Sequence, residues 1–396
     1  MSANFILCDF NNWQSFLPLT YTRPVAALRL GILTIAEKWA NISGAQISYK
    51  TQPYLQTKFP LVVETENFIV NASFLPDNQL YTDIVSLKLN TALVVNDEIV
   101  AVKLSDINAL AFFEDKDIVI DRIEYATNTL QIKNIWDLFV LNEMAIESDF
   151  KLLTYNRQSE PLNETNQSSD KERIFIEKGA VVSYSILNPK QGYIYIGKNA
   201  EIMEGCIVRG SLALCDGAVL KMGAKIYGAT TIGPFSKIGG EVNNSVIFAN
   251  SNKGHDGFLG NSVIGEWCNL GANTNNSNLK NNYALVKLWN YSKQSFANTG
   301  LQFCGLFMGD HSKSGINTMF NTGTVVGVGT NIFGAGFPRN YIPSFSMGGY
   351  QGFVQQPIKQ VIDTAAIVMQ RRGIQFNTTE KDILEYLFNQ IEQKLV

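Results

Sequence analysis

Aliphatic residues stand at Ile196, Ile202, Val208, Leu214, Leu220, Ile226, Ile232 and Ile238, every sixth position without a break. Small residues recur inside the same hexads, as in Ile196-Gly197-Lys198-Asn199-Ala200 and Ile232-Gly233-Pro234-Phe235-Ser236. A period of six fits neither an α-helix nor a free-standing strand. It fits a parallel β-helix in which three hexads make one triangular coil, one aliphatic side chain per hexad points inward, and small residues turn the corners. The register resumes at Val263-Ile264-Gly265 and Leu270-Gly271-Ala272, then through Gly315-Ile316-Asn317 and Val325 to Gly329. Between these stretches the rhythm breaks at Asn250 to Phe258, which predicts a loop thrown out of the solenoid.

The pattern before residue 156 is different. Phe5–Cys8, Leu61–Val63, Phe68–Val70 and Ala92–Val95 read as buried strands, and Ile32–Trp39 reads as a helix. Such alternation predicts an α/β layered domain over 1–155. Apolar residues at three- and four-residue spacing over Ile135–Ile146 predict an amphipathic helix closing it. Residues 156–173 are polar except for Leu162, too poor in apolar surface to fold alone, and are expected to be a linker. The solenoid is expected over 174–352. The remainder, 353–396, carries two helical patterns, Pro357–Arg372 and Thr379–Leu395, the second opened by the cap Thr378-Thr379-Glu380. These helices are expected to close the solenoid's open end.

Composition narrows the functional classes. The 396-residue chain is 45% hydrophobic, 11% aromatic and only 17% charged, which excludes a disordered chain. A net charge of −3 argues against a dedicated nucleic-acid binder. No apolar stretch reaches the roughly 20 residues of a membrane span, and Met1–Phe5 has no signal-peptide character. Five scattered cysteines without a CxxC pair read as reduced, packed thiols of a cytoplasmic protein. Charge is also sorted: residues 1–170 hold 12 basic and 21 acidic side chains, residues 171–396 hold 20 and 14. The basic half could serve anionic ligands such as phosphates. With only His255 and His311 in the chain, a multi-histidine metal site is not expected.

His255 falls in the break of the hexad rhythm, among small and polar neighbours, where a ligand-facing residue would stand. Residues 255–278 (HDGFLGNSVIGEWCNLGANTNNSN) resemble, without gaps, the acetyltransferase signature of the bifunctional N-acetylglucosamine-1-phosphate uridylyltransferase/glucosamine-1-phosphate acetyltransferase family. The stretches Thr299–Gly305 and Gly309–Asn317 resemble related sugar-1-phosphate nucleotidylyltransferases that carry such an acetyltransferase domain.

The resemblance implies a left-handed hexapeptide-repeat solenoid and transfer of an acetyl group from acetyl-CoA. His255 would be the general base on the 2-amino group of a hexosamine 1-phosphate, a task suited to an imidazole at neutral pH. Asn269 would contact the amino sugar. Ala272, Asn278 and Leu279 match positions along the CoA channel, Asn278 also serving the substrate side. Lys287 is similar to a family lysine near the sugar phosphate. Arg339 is a candidate for the CoA phosphates on charge alone, and His311 reads as structural. In the family three solenoids pack side by side with CoA between neighbours, which implies a homotrimer. Three positions depart from the signature: Phe258 stands for a tyrosine, Asn261 for an aspartate and Asn273 for a glycine.

The first domain resembles the same family through Leu17-Pro18-Leu19-Thr20-Tyr21-Thr22-Arg23-Pro24, which implies a GT-A/Rossmann-like nucleotidyltransferase fold. Its phosphate-cradling glycine loop is replaced by Asp9–Trp13, the family lysine by Val25, and the Mg²⁺-binding aspartate by Ser73. Either it is a remodelled transferase using Asp9, Arg23 and Arg29 on a nucleoside triphosphate, with Mg²⁺ if that activity survives, or it keeps a structural or sugar-binding role. Three readings of the whole follow: an acetyl-CoA-dependent amino-sugar acetyltransferase of cell-envelope precursor synthesis fused to this divergent domain, a uridylyl or thymidylyl nucleotidyltransferase, and a non-catalytic trimeric scaffold or ligand-binding protein.

Overall fold

The computed structural model describes residues 4–126 and 129–395, with side chains described as far as Gln390. The chain divides into two compact units, one of residues 1–16, 22–28 and 33–133, the other of residues 17–21, 29–32 and 134–396.

The first unit is built on a six-stranded sheet of β1 (Asn4–Cys8), β2 (Ile47–Lys50), β3 (Glu66–Asn71), β4 (Thr91–Val95), β5 (Glu98–Ser105) and β6 (Asp121–Glu124), in the order β2-β1-β3-β5-β4-β6. β1 pairs in parallel with β2 and β3, whereas β5 runs antiparallel to both of its neighbours. Phe5, Ile6 and Leu7 are fully buried, the continuous apolar run that a parallel strand covered on both faces requires. Of the helices α1 (Ile35–Ser43), α2 (Asn78–Val85) and α3 (Asp106–Phe113), α1 begins later than its apolar pattern, because Thr34 and Glu37 close a reciprocal capping box there. Leu61–Val63, expected as a strand, is not one. The Val62 carbonyl accepts from the Asn4 and Ser48 side chains instead of joining a ladder.

The second unit is a parallel β-solenoid of three sheets, with six, nine and ten strands. Ile194 pairs with Leu212 and Leu212 with Thr230, a step of 18 residues per coil. All eight hexad aliphatics from Ile196 to Ile238 are buried in one continuous core. Burying a Leu- or Ile-sized side chain contributes about 1.5–3 kcal/mol, so the repeat supplies the coil's stability directly.

Four features differ from the pattern. First, Asn250–Phe258 is no ejected loop: Asn252–Lys253 and Phe258–Gly260 both join the sheets, and the coil is merely shortened. The large insertion comes later, where Val263 pairs with Phe307, and it holds the antiparallel hairpin Lys287–Asn290/Ser295–Asn298. Second, Ile316 is 70% exposed, since the strand before it ends at Ser314. Third, the helix pattern over 135–146 forms α4 (Asp137–Val140) and α5 (Asn142–Thr154), which cover the nine-stranded face of the solenoid. Phe139 meets Phe307, and Phe150 meets Phe175 and Tyr193. Fourth, α6 (Ile358–Gln370) and α7 (Thr378–Leu395) do not simply seal the end. α6 leads back along the coils, so that Arg372 donates to the Phe235 carbonyl and the Asn252 amide oxygen.

Residues 156–173 carry ordered contacts. Gln167 and Ser168 pair with Ile186 and Leu187, and the Asn166 amide bridges the Val182 carbonyl and the Ser185 N–H.

Candidate functional site

His255 sits in the turn between the strands Asn252–Lys253 and Phe258–Gly260, exposed to solvent. The turn is fixed by its backbone. Asn273 donates its N–H to the Asp256 carbonyl, Glu241 donates to Gly257, and Phe258 donates to the Asn275 side chain. Gly257 is required: its φ is +117°, and a Cβ there would lie 2.2 Å from the Thr274 carbonyl oxygen. Among the described residues the His255 imidazole makes no hydrogen bond or ion pair, which leaves its ring nitrogens open to a substrate.

Two of the three departures from the signature have a geometric reading. Asn261 has φ +47° and Asn273 φ +57°, both left-handed corner positions of the solenoid. Asparagine is among the few non-glycine residues that adopt this conformation readily, so Asn273 can hold the corner assigned to a glycine. Asn261 also accepts from the Asn278 amide at 2.8 Å. The amide of Asn278, expected on substrate or CoA, is therefore engaged between successive coils. Its neighbours Asn275 and Asn276 likewise cap the N–H groups of Phe258 and Gly260. Asn269 is exposed on the outer face, between Asn252 and Lys313 on adjacent strands. Ala272 is half-buried at a corner, where its carbonyl accepts from Asn317. Leu279 forms an isolated bridge to Phe303 at the base of the insertion.

Lys287 and Arg339 come together, although 51 positions separate them in the sequence. With Lys280 and the rings of Trp289, Phe296 and Tyr341 they line a groove of about 700 Å³. His311 is buried at a corner with φ +60°, its ring stacked over Trp267.

The apolar pattern missed Lys253. It occupies an inward hexad position beside Ile238, and it is only 2% exposed. Its ammonium donates to the carbonyls of Gly239 and His255, each at 3.0 Å. Burial pushes its pKa down to about 8, against the opposing pull of Asp256 and Glu241. The only sequence signal was a cation two residues before the lone candidate base.

The sign of the linkage follows. Between pH 8 and 10.5 the unfolded chain holds the lysine proton more tightly than the native one, so this group makes stability rise with pH across that window. Lys253→Met removes the rise. The stability of the variant relative to wild type is expected to fall by about 3 kcal/mol between pH 7 and 10.5. Urea unfolding of both proteins at the two pH values checks this, since the buried Cys8 and tyrosines are common to both and cancel.

The candidates of the first unit are placed differently. Asp9 is buried, and burial pushes its pKa up to about 7; it accepts from Val25 N–H at 2.7 Å and Thr51 Oγ at 2.6 Å. Its carboxylate is thus committed to holding the turn after Pro24. Arg23 is buried in the same unit, whereas Arg29 belongs to the second unit and donates to the Ile32 carbonyl. Ser73, at the position of the family's metal-binding aspartate, donates to Asn71 and accepts from Gln131. Glu98 beside them accepts from Asn12, Asn71 and Gln131. No group of three His, Cys, Asp or Glu side chains suited to a metal exists among the described residues.

Residues 5–158 match the family model of sugar nucleotidyl transferases. Curated relatives match in part. A bifunctional protein GlmU of Methanocaldococcus jannaschii is 38% identical over 87 residues, 22% of this chain and 21% of that protein. A bifunctional sugar-1-phosphate nucleotidylyltransferase/acetyltransferase of Sulfurisphaera tokodaii is 29% identical over 145 residues, 36% of each. The chain therefore spans between a fifth and about a third of the length of these relatives. Among solved structures, the polysialic acid-specific acetyltransferase NeuO is 14% identical, with a TM-score of 0.28 over 49% of this chain and 88% of that one. The five cysteines are all buried and joined by no disulfide, and no described helix is long and apolar enough to cross a membrane.

Proposed function

We propose that this chain transfers the acetyl group of acetyl-CoA to the amine of an amino-sugar phosphate such as glucosamine 1-phosphate, in cytoplasmic sugar-nucleotide synthesis. The observation that carries the reading is an exposed imidazole, free of partners among the described residues, on a solenoid corner whose sequence resembles an acetyltransferase signature. His255 takes the amine proton as the new C–N bond forms and the thioester C–S bond breaks, the thiolate leaving with CoA. Asn269 orients the sugar; Ala272 and Leu279 flank the acyl donor. Lys287 and Arg339 offset phosphate charge, and Asn278 acts through Asn261 on the adjacent coil. A homotrimer would place a neighbouring solenoid against the exposed face that carries Asn269.

Thiol release from acetyl-CoA in the presence of glucosamine 1-phosphate tests this. Release that depends on the amino sugar is expected; its absence with every hexosamine phosphate overturns the reading. A second reading, nucleotidyl transfer by the first unit, draws on the match over residues 5–158. It requires pyrophosphate release from a nucleoside triphosphate and a sugar 1-phosphate. If CoA does not bind either, the scaffold reading gains.

A further inference from the structure

The groove beside the inserted hairpin has a chemistry of its own. Its cations are Lys280, Lys287 and Arg339, and no carboxylate lines it. Among the described residues neither Lys287 nor Arg339 has an ion-pair or hydrogen-bond partner for its side chain, and Lys280 donates only to the Leu285 carbonyl. Three like charges around one cavity repel one another, and a bound polyanion relieves that repulsion.

The rest of the wall is aromatic. Trp289 stacks on Tyr341 with ring centroids 4.2 Å apart and planes at 11°. Phe296 stands edge-on to Trp289 and is 44% exposed. Tyr341 is backed in turn by the half-buried Tyr291. This platform is rigid before any ligand arrives, so stacking on it costs little ordering. Asn340, which donates to the Thr322 carbonyl at 2.7 Å, lines the same rim. A groove of about 700 Å³ is of the size that encloses a small ligand.

We propose that this groove binds a nucleoside diphosphate group, its base against Trp289 and Phe296 and its phosphates against Lys280, Lys287 and Arg339. Aromatic platforms accept any base through its π-face, while the cations hold the phosphates. Lys287 and Arg339 then serve one anion site rather than a sugar phosphate and a CoA phosphate separately. Two molecules carry this group, the adenosine diphosphate end of CoA and a nucleotide sugar. The site stands whichever is its source; only the CoA source rests on the acetyl-transfer reading.

Calorimetric titration of the 396-residue chain with ADP, UDP and inorganic pyrophosphate tests the site. At least one nucleoside diphosphate is expected to bind ten times or more tightly than pyrophosphate. Arg339→Ala, an exposed substitution that spares the core, is expected to weaken nucleoside diphosphate and pyrophosphate alike by at least tenfold. Trp289→Leu is expected to weaken only the nucleotide. Competition then identifies the source: displacement by CoA assigns the groove to the acyl donor, displacement by UDP-N-acetylglucosamine to a nucleotide sugar. Nucleotide binding that survives both substitutions, or that is no tighter than pyrophosphate, overturns the proposal. A chain that binds nucleotide here yet releases no thiol from acetyl-CoA refutes the acetyl-transfer reading and leaves this site standing.

Discussion

His255→Ala is expected to lower acetyl transfer to glucosamine 1-phosphate by at least about a hundredfold, the lower range for removal of a general base. The loss should fall on kcat, with KM for acetyl-CoA nearly unchanged, because the imidazole moves a proton and holds no part of the donor. The fold gives no reason for collateral damage. The side chain is exposed, and the turn is held by backbone groups: the His255 carbonyl on the Lys253 ammonium and the Asp256 carbonyl on the Asn273 N–H. Steady-state kinetics with equal unfolding midpoints for the two proteins would isolate the chemical step. Turnover within threefold of wild type would remove His255 from the mechanism.

The solenoid was legible because its interactions are nearly one-dimensional. Each coil packs on its two neighbours, so an aliphatic every sixth residue already specifies which side chain points inward. The same logic misplaced Ile316, where the chain leaves the hexad after Ser314. It was blind to Lys253, since a periodic pattern cannot announce a cation bonded to two carbonyls inside an apolar core. The amphipathic pattern of 135–146 had a different defect. It showed an apolar stripe but not its partner, and the stripe lies against the solenoid face through Phe139 and Phe307.

The candidate site was legible only where it is local. Residues 255–278 form contiguous coil, and the corner angles of Asn261 and Asn273 account for asparagine at both. The groove is assembled from Lys280, the inserted hairpin and Arg339, segments that meet only because the insertion folds back on the coil. No spacing rule carries that information. Asp9 and Arg23 lie in a motif-like stretch, and their burial could not be read from that stretch alone.

Asn142→Ala is expected to be the most damaging small substitution away from the aliphatic core. Asn142, the first residue of α5, is fully buried. Its amide oxygen accepts from the Gly31 N–H at 2.7 Å, and its amide nitrogen donates to the Ala229 carbonyl at 2.9 Å. The Thr231 hydroxyl lies 2.8 Å from the Gly31 carbonyl and 3.0 Å from the Asn142 oxygen, and donates to one of them. One side chain thus ties the start of α5 to the solenoid at Ala229 and to the Arg29–Ile32 segment. Truncation strands a backbone N–H and a backbone carbonyl away from water, each costing about 1–3 kcal/mol. The sum is about 4 kcal/mol, a large share of the 5–15 kcal/mol typical of a domain. Gly31 cannot shift to compensate: its φ is +75°, and it packs so closely that an added Cβ would lie 2.5 Å from the Asp149 carboxylate. Asn142→Asp should do no better, since it restores the acceptor for Gly31 but sets a buried charge against the Ala229 carbonyl. Chemical unfolding followed by tryptophan fluorescence measures the loss. A penalty below 1 kcal/mol would mean that water enters the site and replaces both bonds, against the tight packing at Gly31.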